Sequence, residues 1–214
     1  MRNIMNIPNA LTVSRILLTP VFLAFFFAGG WVSKWMALMV FTVASLTDLY
    51  DGYLARRGGS VTTLGRFLDP LADKILASAA LISFVLVGLV EMWLVVLIVG
   101  RDVLITAFRM YALYNGRQVT TSKLAKWKTT AQWVVIFLIL GYVSIKNTLL
   151  RFAYTELDGV WYFGILNGLI GIVALLTVIS GVRYFWGDQA TADKVEAVSK
   201  KQVEIPRLSE ARSG

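Results

Sequence analysis

Long apolar runs recur along almost the whole of this chain, and they restrict its folding more than any motif does. A helix needs about 20 apolar residues to cross the hydrocarbon core of a bilayer. Inside that core the backbone N–H and C=O groups must be paired within the chain, which a helix does unaided. Hydropathy places about six such helices, at Leu11 to Phe27, Val32 to about Arg57, Leu64 to Val90, Met92 to Tyr114, Leu124 to Ile145 and Val160 to Trp186. Of the 214 residues, 57% are hydrophobic, above the ~45–50% of soluble domains even by a count that includes glycine. The chain reads as an all-α integral membrane protein. One membrane domain covers 1–186, and a polar cytoplasmic tail covers 187–214.

Lysines and arginines in the short loops set the orientation. One set of ends and loops holds Arg2, Arg56, Arg57, Arg66, Arg117, Lys123, Lys126 and Lys128, with Lys194, Lys200, Lys201, Arg207 and Arg212 of the tail. The opposite set holds Lys34, Lys146 and Arg151. Both termini are therefore expected in the cytoplasm, with the chain passing several times through the inner (cytoplasmic) membrane. Arg15 and Pro20 interrupt the first apolar run and no small-residue cleavage site follows, so it reads as a retained helix and not a signal peptide. The net charge of +8 fits this inward positive bias and contact with anionic membrane lipids. Nucleic acid is not an expected partner.

Cysteine and histidine are both absent. Disulfides, thiolate chemistry and iron–sulfur clusters are thereby excluded, as are an imidazole base and the commonest zinc ligand. Any chemistry must use Asp, Glu, Lys, Arg, Ser, Thr or Tyr.

Against this background the stretch DLYDGYLARRGGSVTTLGRFLDPLADK, from Asp48 to Lys74, is anomalous, with four aspartates among apolar segments. A charge at a membrane-helix centre costs on the order of 2.5–3.5 kcal/mol, so such residues are functional candidates by default. Asp48, Asp51, Gly52, Ala55 and Arg56 fall within a helical arc of ~140°, while Arg57 points away. Gly65, Asp69 and Asp73 step by four and cover ~80°. Two adjacent helices can thus present four carboxylates to one another. Hard divalent cations, Mg2+ or Mn2+, are the natural counter-charges. Gly52, Ala55 and Gly65 keep that face free of bulk, so that a ligand can approach the backbone.

The pattern Asp48-x2-Asp51-Gly52-x2-Ala55-Arg56-x8-Gly65-x3-Asp69-x3-Asp73 resembles the signature of the CDP-alcohol phosphotransferases at all eight defined positions. The resemblance implies a six-transmembrane-helix bundle with a polar metal-binding cleft open to the cytoplasm. It also implies two Mg2+ or Mn2+ ions on Asp48, Asp51, Asp69 and Asp73. Asp73 would be the base that activates the acceptor hydroxyl, and Gly52, Ala55, Arg56 and Gly65 would line the cytidine nucleotide site. A carboxylate beside metals can take that proton without histidine, and an in-line displacement at phosphorus suits a two-metal site. Members of the family are often homodimers.

Within the family, NIPNALTVSR (Asn6 to Arg15), FLDPLADKIL (Phe67 to Leu76) and SKLAKWKTTAQ (Ser122 to Gln132) resemble the bacterial phosphatidylglycerophosphate synthases. That branch moves a phosphatidyl group from CDP-diacylglycerol to sn-glycerol 3-phosphate. Two positions depart from its usual pattern: Asp102 stands where glutamate is frequent, and Ala125 where glycine is usual. A phosphorylated acceptor calls for fixed positive charge. Arg101 and Arg109 lie ~80° apart around the fourth helix, and buried guanidinium groups suit phosphate. Lys123, Lys126 and Lys128 open the fifth helix. The acceptor phosphate is therefore assigned to Arg101, Arg109, Lys123, Lys126 and Lys128; the other readings are a pairing of Arg101 with Asp102 or with an aspartate of the metal site, an Arg109 that snorkels to the interface, and lysines that carry ordinary positive-inside charge. Lys74 lies ~100° from Asp73 around its helix and is placed at the site edge, while Thr12 and Arg15 carry little weight from spacing alone. The alternatives are another member of the family, of the cardiolipin synthase type or with another alcohol acceptor, and, from a different class, a cation transporter.

Overall fold

The fold was described from a computed structural model, which describes residues 7–58, 63–114, 123–152 and 162–182, with side chains at 13–47, 71–72, 74–108, 110–111, 127–152 and 162–182. Among the described residues all regular structure is helical. The helices are α1 (Ile7–Phe27), α2 (Trp31–Gly58), α3 (Thr63–Leu86), α4 (Met92–Tyr114), α5 (Lys123–Phe152) and α6 (Tyr162–Val182). The expected tail, 187–214, lies outside the described residues.

Three boundaries differ from those read by hydropathy. α1 starts at Ile7 rather than Leu11, because Pro8 falls in the first turn, where its missing N–H leaves no bond unmade. α3 ends at Leu86 rather than Val90, because Gly88 takes a left-handed φ of 72°. Its N–H donates to the Val85 carbonyl at 2.9 Å and the Leu89 N–H donates to the Phe84 carbonyl at 2.9 Å, the two bonds that close a glycine-capped helix end. α5 runs on past Ile145 to Phe152. The polar residues there stay helical by donating to carbonyls one turn back: Asn147 to Val143 at 2.8 Å and Thr148 to Ser144 at 2.8 Å.

α1 packs against both α2 and α3, α2 against α5, and α3 against α4 and α5. An aromatic cluster ties the first three of these contacts together. Phe41 of α2 lies 5.5 Å from Phe22 of α1, 5.3 Å from Trp133 and 5.2 Å from Phe137 of α5, and Phe26 lies 5.8 Å from Phe84 of α3. Such ring pairs add about 0.5–1.5 kcal/mol each beyond their burial. Away from this core the large apolar side chains face outward. Ile165, Ile172, Leu175 and Val178 of α6, with Val134, Leu138 and Ile145 of α5, are exposed, an exterior suited to lipid and not to water. Two helices, over Trp127–Phe152 and Tyr162–Val182, are long and apolar enough to cross a membrane. Val13–Phe27, Trp31–Thr47 and Lys74–Leu86 supply shorter apolar stretches.

Polar groups within these apolar helices are satisfied locally. Thr19, Thr42, Ser45, Ser83 and Thr177 each donate to the carbonyl four residues earlier, as hydroxyls do where water is excluded. At the turn between α1 and α2, Lys34 Nζ donates to the Phe26 and Ala28 carbonyls. A cation there complements the negative end of the α1 dipole.

Candidate active site

Successive helices alternate in direction, and the ring contacts fix their levels. The pairs Phe22–Phe41 and Phe26–Phe84, carried along the helices, bring Arg15 of α1 level with Asp48 of α2 and Asp73 of α3. Arg15 is fully buried. The α2–α5 contacts Ser144 to Lys34 and Phe41 to Phe137, carried the same way, bring Asp48 and Asp51 level with the first turns of α5. The helical backbone thus places Asp48, Asp51, Gly52, Ala55 and Arg56 in the last turns of α2, and Gly65, Asp69 and Asp73 in the first half of α3. Only residues 59–62 separate the two helices, a tether of about 18 Å at full extension. Their side chains lie outside the described residues, as do those of Arg109, Lys123 and Lys126. Aspartate carboxylates are the ligand type that hard divalent cations prefer, and the backbone carries all four on two helices joined by a short connection.

At that same end, α3, α4 and α5 converge on one buried carboxylate. Asp102 of α4 is 2% exposed. Its Oδ1 accepts from Lys128 Nζ at 2.5 Å and from Arg101 Nη1 at 3.2 Å, and its Oδ2 accepts from Lys74 Nζ at 3.3 Å. Lys128 is itself 1% exposed, whereas Lys74 and Arg101 reach the surface in part. On its far side Arg101 donates from Nη2 to Ser180 Oγ of α6 at 2.8 Å. Gly181 of α6 faces the same side chain, and a Cβ there would meet Arg101 Nε at 3.5 Å, an ordinary contact distance. One turn along α5 from Lys128, Gln132 is buried, and its Oε1 has no hydrogen-bond partner.

Two of the five proposed phosphate ligands, Arg101 and Lys128, are therefore brought together, and Arg101 does pair with Asp102. The sequence reading missed Asp102 as the hub, placed Lys74 only at the site edge, and passed over Ser180. A signal was present for the first of these. A carboxylate inside an apolar helix needs a counter-charge, and the lysines at the start of α5, assigned to phosphate alone, could also supply it. Nothing in the sequence marked Ser180, since the contact joins residues 79 apart.

Among the described residues three cations surround one carboxylate, two more positive charges than Asp102 offsets. A largely buried excess of that kind is costly unless an anion joins it. Helices with an apolar exterior among the described residues, and a buried cluster of charge at one end, suit a membrane-associated protein. Its sequence is more specific. Residues 5–182 match the CDP-alcohol phosphatidyltransferase family, and the chain belongs to that family. Among its relatives is the CDP-diacylglycerol--glycerol-3-phosphate 3-phosphatidyltransferase of Bacillus subtilis, 34% identical, with 84% of this chain and 93% of the relative aligned. The protein of that name in Rickettsia typhi is 33% identical over 84% of this chain and 95% of its own. In Pseudomonas fluorescens its namesake is 38% identical over 64% of this chain and 73% of its own.

Proposed function

We propose that this chain transfers the phosphatidyl group of CDP-diacylglycerol to sn-glycerol 3-phosphate, giving phosphatidylglycerophosphate and CMP. The observation that carries this reading is the excess of two positive charges in the Asp102 cluster, at the helix end that holds the family's aspartate signature. A phosphomonoester dianion matches that excess. The names of the relatives agree with the donor and the acceptor.

Gly52, Ala55, Arg56 and Gly65 line the cytidine nucleotide. Arg101 and Lys128, joined by Arg109, Lys123 and Lys126, hold the acceptor phosphate and turn its free hydroxyl toward Asp73. Asp73 takes the hydroxyl proton, the alkoxide oxygen bonds to the phosphorus that carries diacylglycerol, and the bridging bond to CMP breaks. Two divalent ions, Mg2+ or Mn2+, held by Asp48, Asp51, Asp69 and Asp73, supply charge neutralisation of the pyrophosphate when bound. The lipid donor enters from the bilayer and the acceptor from water. This requires six spans, both termini on the cytoplasmic side of the inner membrane and a cleft open to that side. The membrane domain then covers 1–186 and the polar tail 187–214, with a homodimer as the assembly.

The test is incorporation of labelled glycerol 3-phosphate into lipid by purified protein with CDP-diacylglycerol and Mg2+. Asp69→Asn and chelation should each lower incorporation by at least about 100-fold, in the range of general acid–base and charge-stabilising contributions. Asp73→Asn should do the same even at a metal concentration high enough, by calorimetry, to load the variant despite the lost ligand. Substantial turnover by a metal-loaded Asp73→Asn protein removes the base assignment, and turnover that survives chelation removes the metal site.

A further inference from the structure

One carboxylate needs one cation, and Lys128 alone would neutralise Asp102. The structure brings three. Lys128 arrives from α5 and Lys74 from α3, while Arg101 folds back from the preceding residue of α4. The two oxygens divide the work: Oδ1 serves Lys128 and Arg101, and Oδ2 serves Lys74. Without the carboxylate, three like charges in a poorly hydrated space would repel and splay apart. With it they gather around one anion, and among the described residues Asp102 is the one carboxylate paired with them. A salt bridge built only to join helices has no reason to leave that excess. Arg101 is also gripped from the other side by Ser180, which fixes the plane of its guanidinium.

We propose that Asp102 is a positioning residue of the acceptor site. Its buried carboxylate gathers Lys128, Arg101 and Lys74 into one set that receives a dianionic phosphomonoester, with Ser180 orienting Arg101. The proposal rests on the reading of Arg101 and Lys128 as phosphate ligands, and it adds Asp102, Lys74 and Ser180 to that site. Asp102 touches no reacting atom and acts through the cations it holds. The set discriminates by charge. A monoester dianion closes it to neutrality, whereas an uncharged alcohol or a phosphodiester monoanion leaves positive charge buried.

The experiment is steady-state kinetics of the purified full chain in detergent with Mg2+, varying glycerol 3-phosphate and CDP-diacylglycerol separately. Asp102→Asn should raise KM for glycerol 3-phosphate roughly tenfold or more, with KM for the donor moved less than about twofold. Asp102→Glu keeps the charge and shifts it by one methylene, so its acceptor KM should lie between those of the parent and Asp102→Asn. Because Lys128 is one of the three cations through which Asp102 acts, the penalty in the Asp102→Asn/Lys128→Gln double variant should fall clearly short of the sum of the two single penalties. Equal rises in both KM values, a full additive penalty in the double variant, or Asp102→Glu no better than Asp102→Asn would overturn the proposal. If Asp102→Asn does not fold, Asp102→Glu and Ser180→Ala decide it: a selective rise of a few-fold in acceptor KM supports it, and no rise in either overturns it. Lys128→Gln separates the two layers of the argument. No change in its acceptor KM would remove the phosphate-site reading itself. A raised KM there with Asp102→Asn unchanged would remove only the role given to Asp102.

Discussion

At Asp102, taking away the anion and taking away a cation have different consequences. Breaking a buried pair by removing one partner costs about 3–5 kcal/mol, because the other charge is left uncompensated. Asp102→Ala leaves three cations in that condition, whereas Lys74→Met leaves the carboxylate with Lys128 and Arg101. Thermal unfolding in detergent should therefore show a clearly larger loss for Asp102→Ala than for Lys74→Met. Equal losses would mean that the cluster is already hydrated and its excess charge screened. At this scale the sequence singled out Arg101 and Lys128, because charge in an apolar run stands out, and the two meet at Asp102. The lysine partners of Asp102 were not legible. Lys74 and Lys128 lie 28 and 26 residues from it, and only the packing of α3 and α5 on α4 brings them in.

Helices as elements were readable from the length of the apolar runs, and their ends less so. Hydropathy extends α3 to Val90 because Val87, Leu89 and Val90 are apolar, yet Gly88 stops it through backbone freedom that hydropathy does not register. The converse holds for α5, where polar Asn147 and Thr148 stay helical through bonds to their own backbone. The placement of α6 against α4 was not readable at all, since it shows in the contact of Ser180 with Arg101, 79 residues apart. A Cβ at 181 would meet Arg101 at ordinary contact distance, but the branches of a valine would press on the side chain. Gly181→Ala should therefore keep acceptor KM close to the parent value, and Gly181→Val should raise it several-fold by displacing Arg101 from Ser180. Parent-like kinetics for Gly181→Val would show that α6 does not set the position of Arg101.

For the whole molecule, the apolar exterior and the charged cluster have opposite demands on their surroundings. Exposed leucines, isoleucines and valines on α5 and α6 suit lipid, while the Asp102 cluster lies at the end of the bundle where the backbone also carries the signature aspartates. A donor with acyl chains and a small charged acceptor meet at such a boundary, which is why the fold suits their reaction. The measurement that tests this most directly is CMP release by purified protein given CDP-diacylglycerol and Mg2+, with glycerol 3-phosphate, glycerol, serine or phosphatidylglycerol as acceptor. The account predicts CMP release with glycerol 3-phosphate and little with the other three. Comparable release with serine or phosphatidylglycerol would contradict the reading of the cationic cluster, and no release with any acceptor from folded protein would contradict the transfer reaction itself.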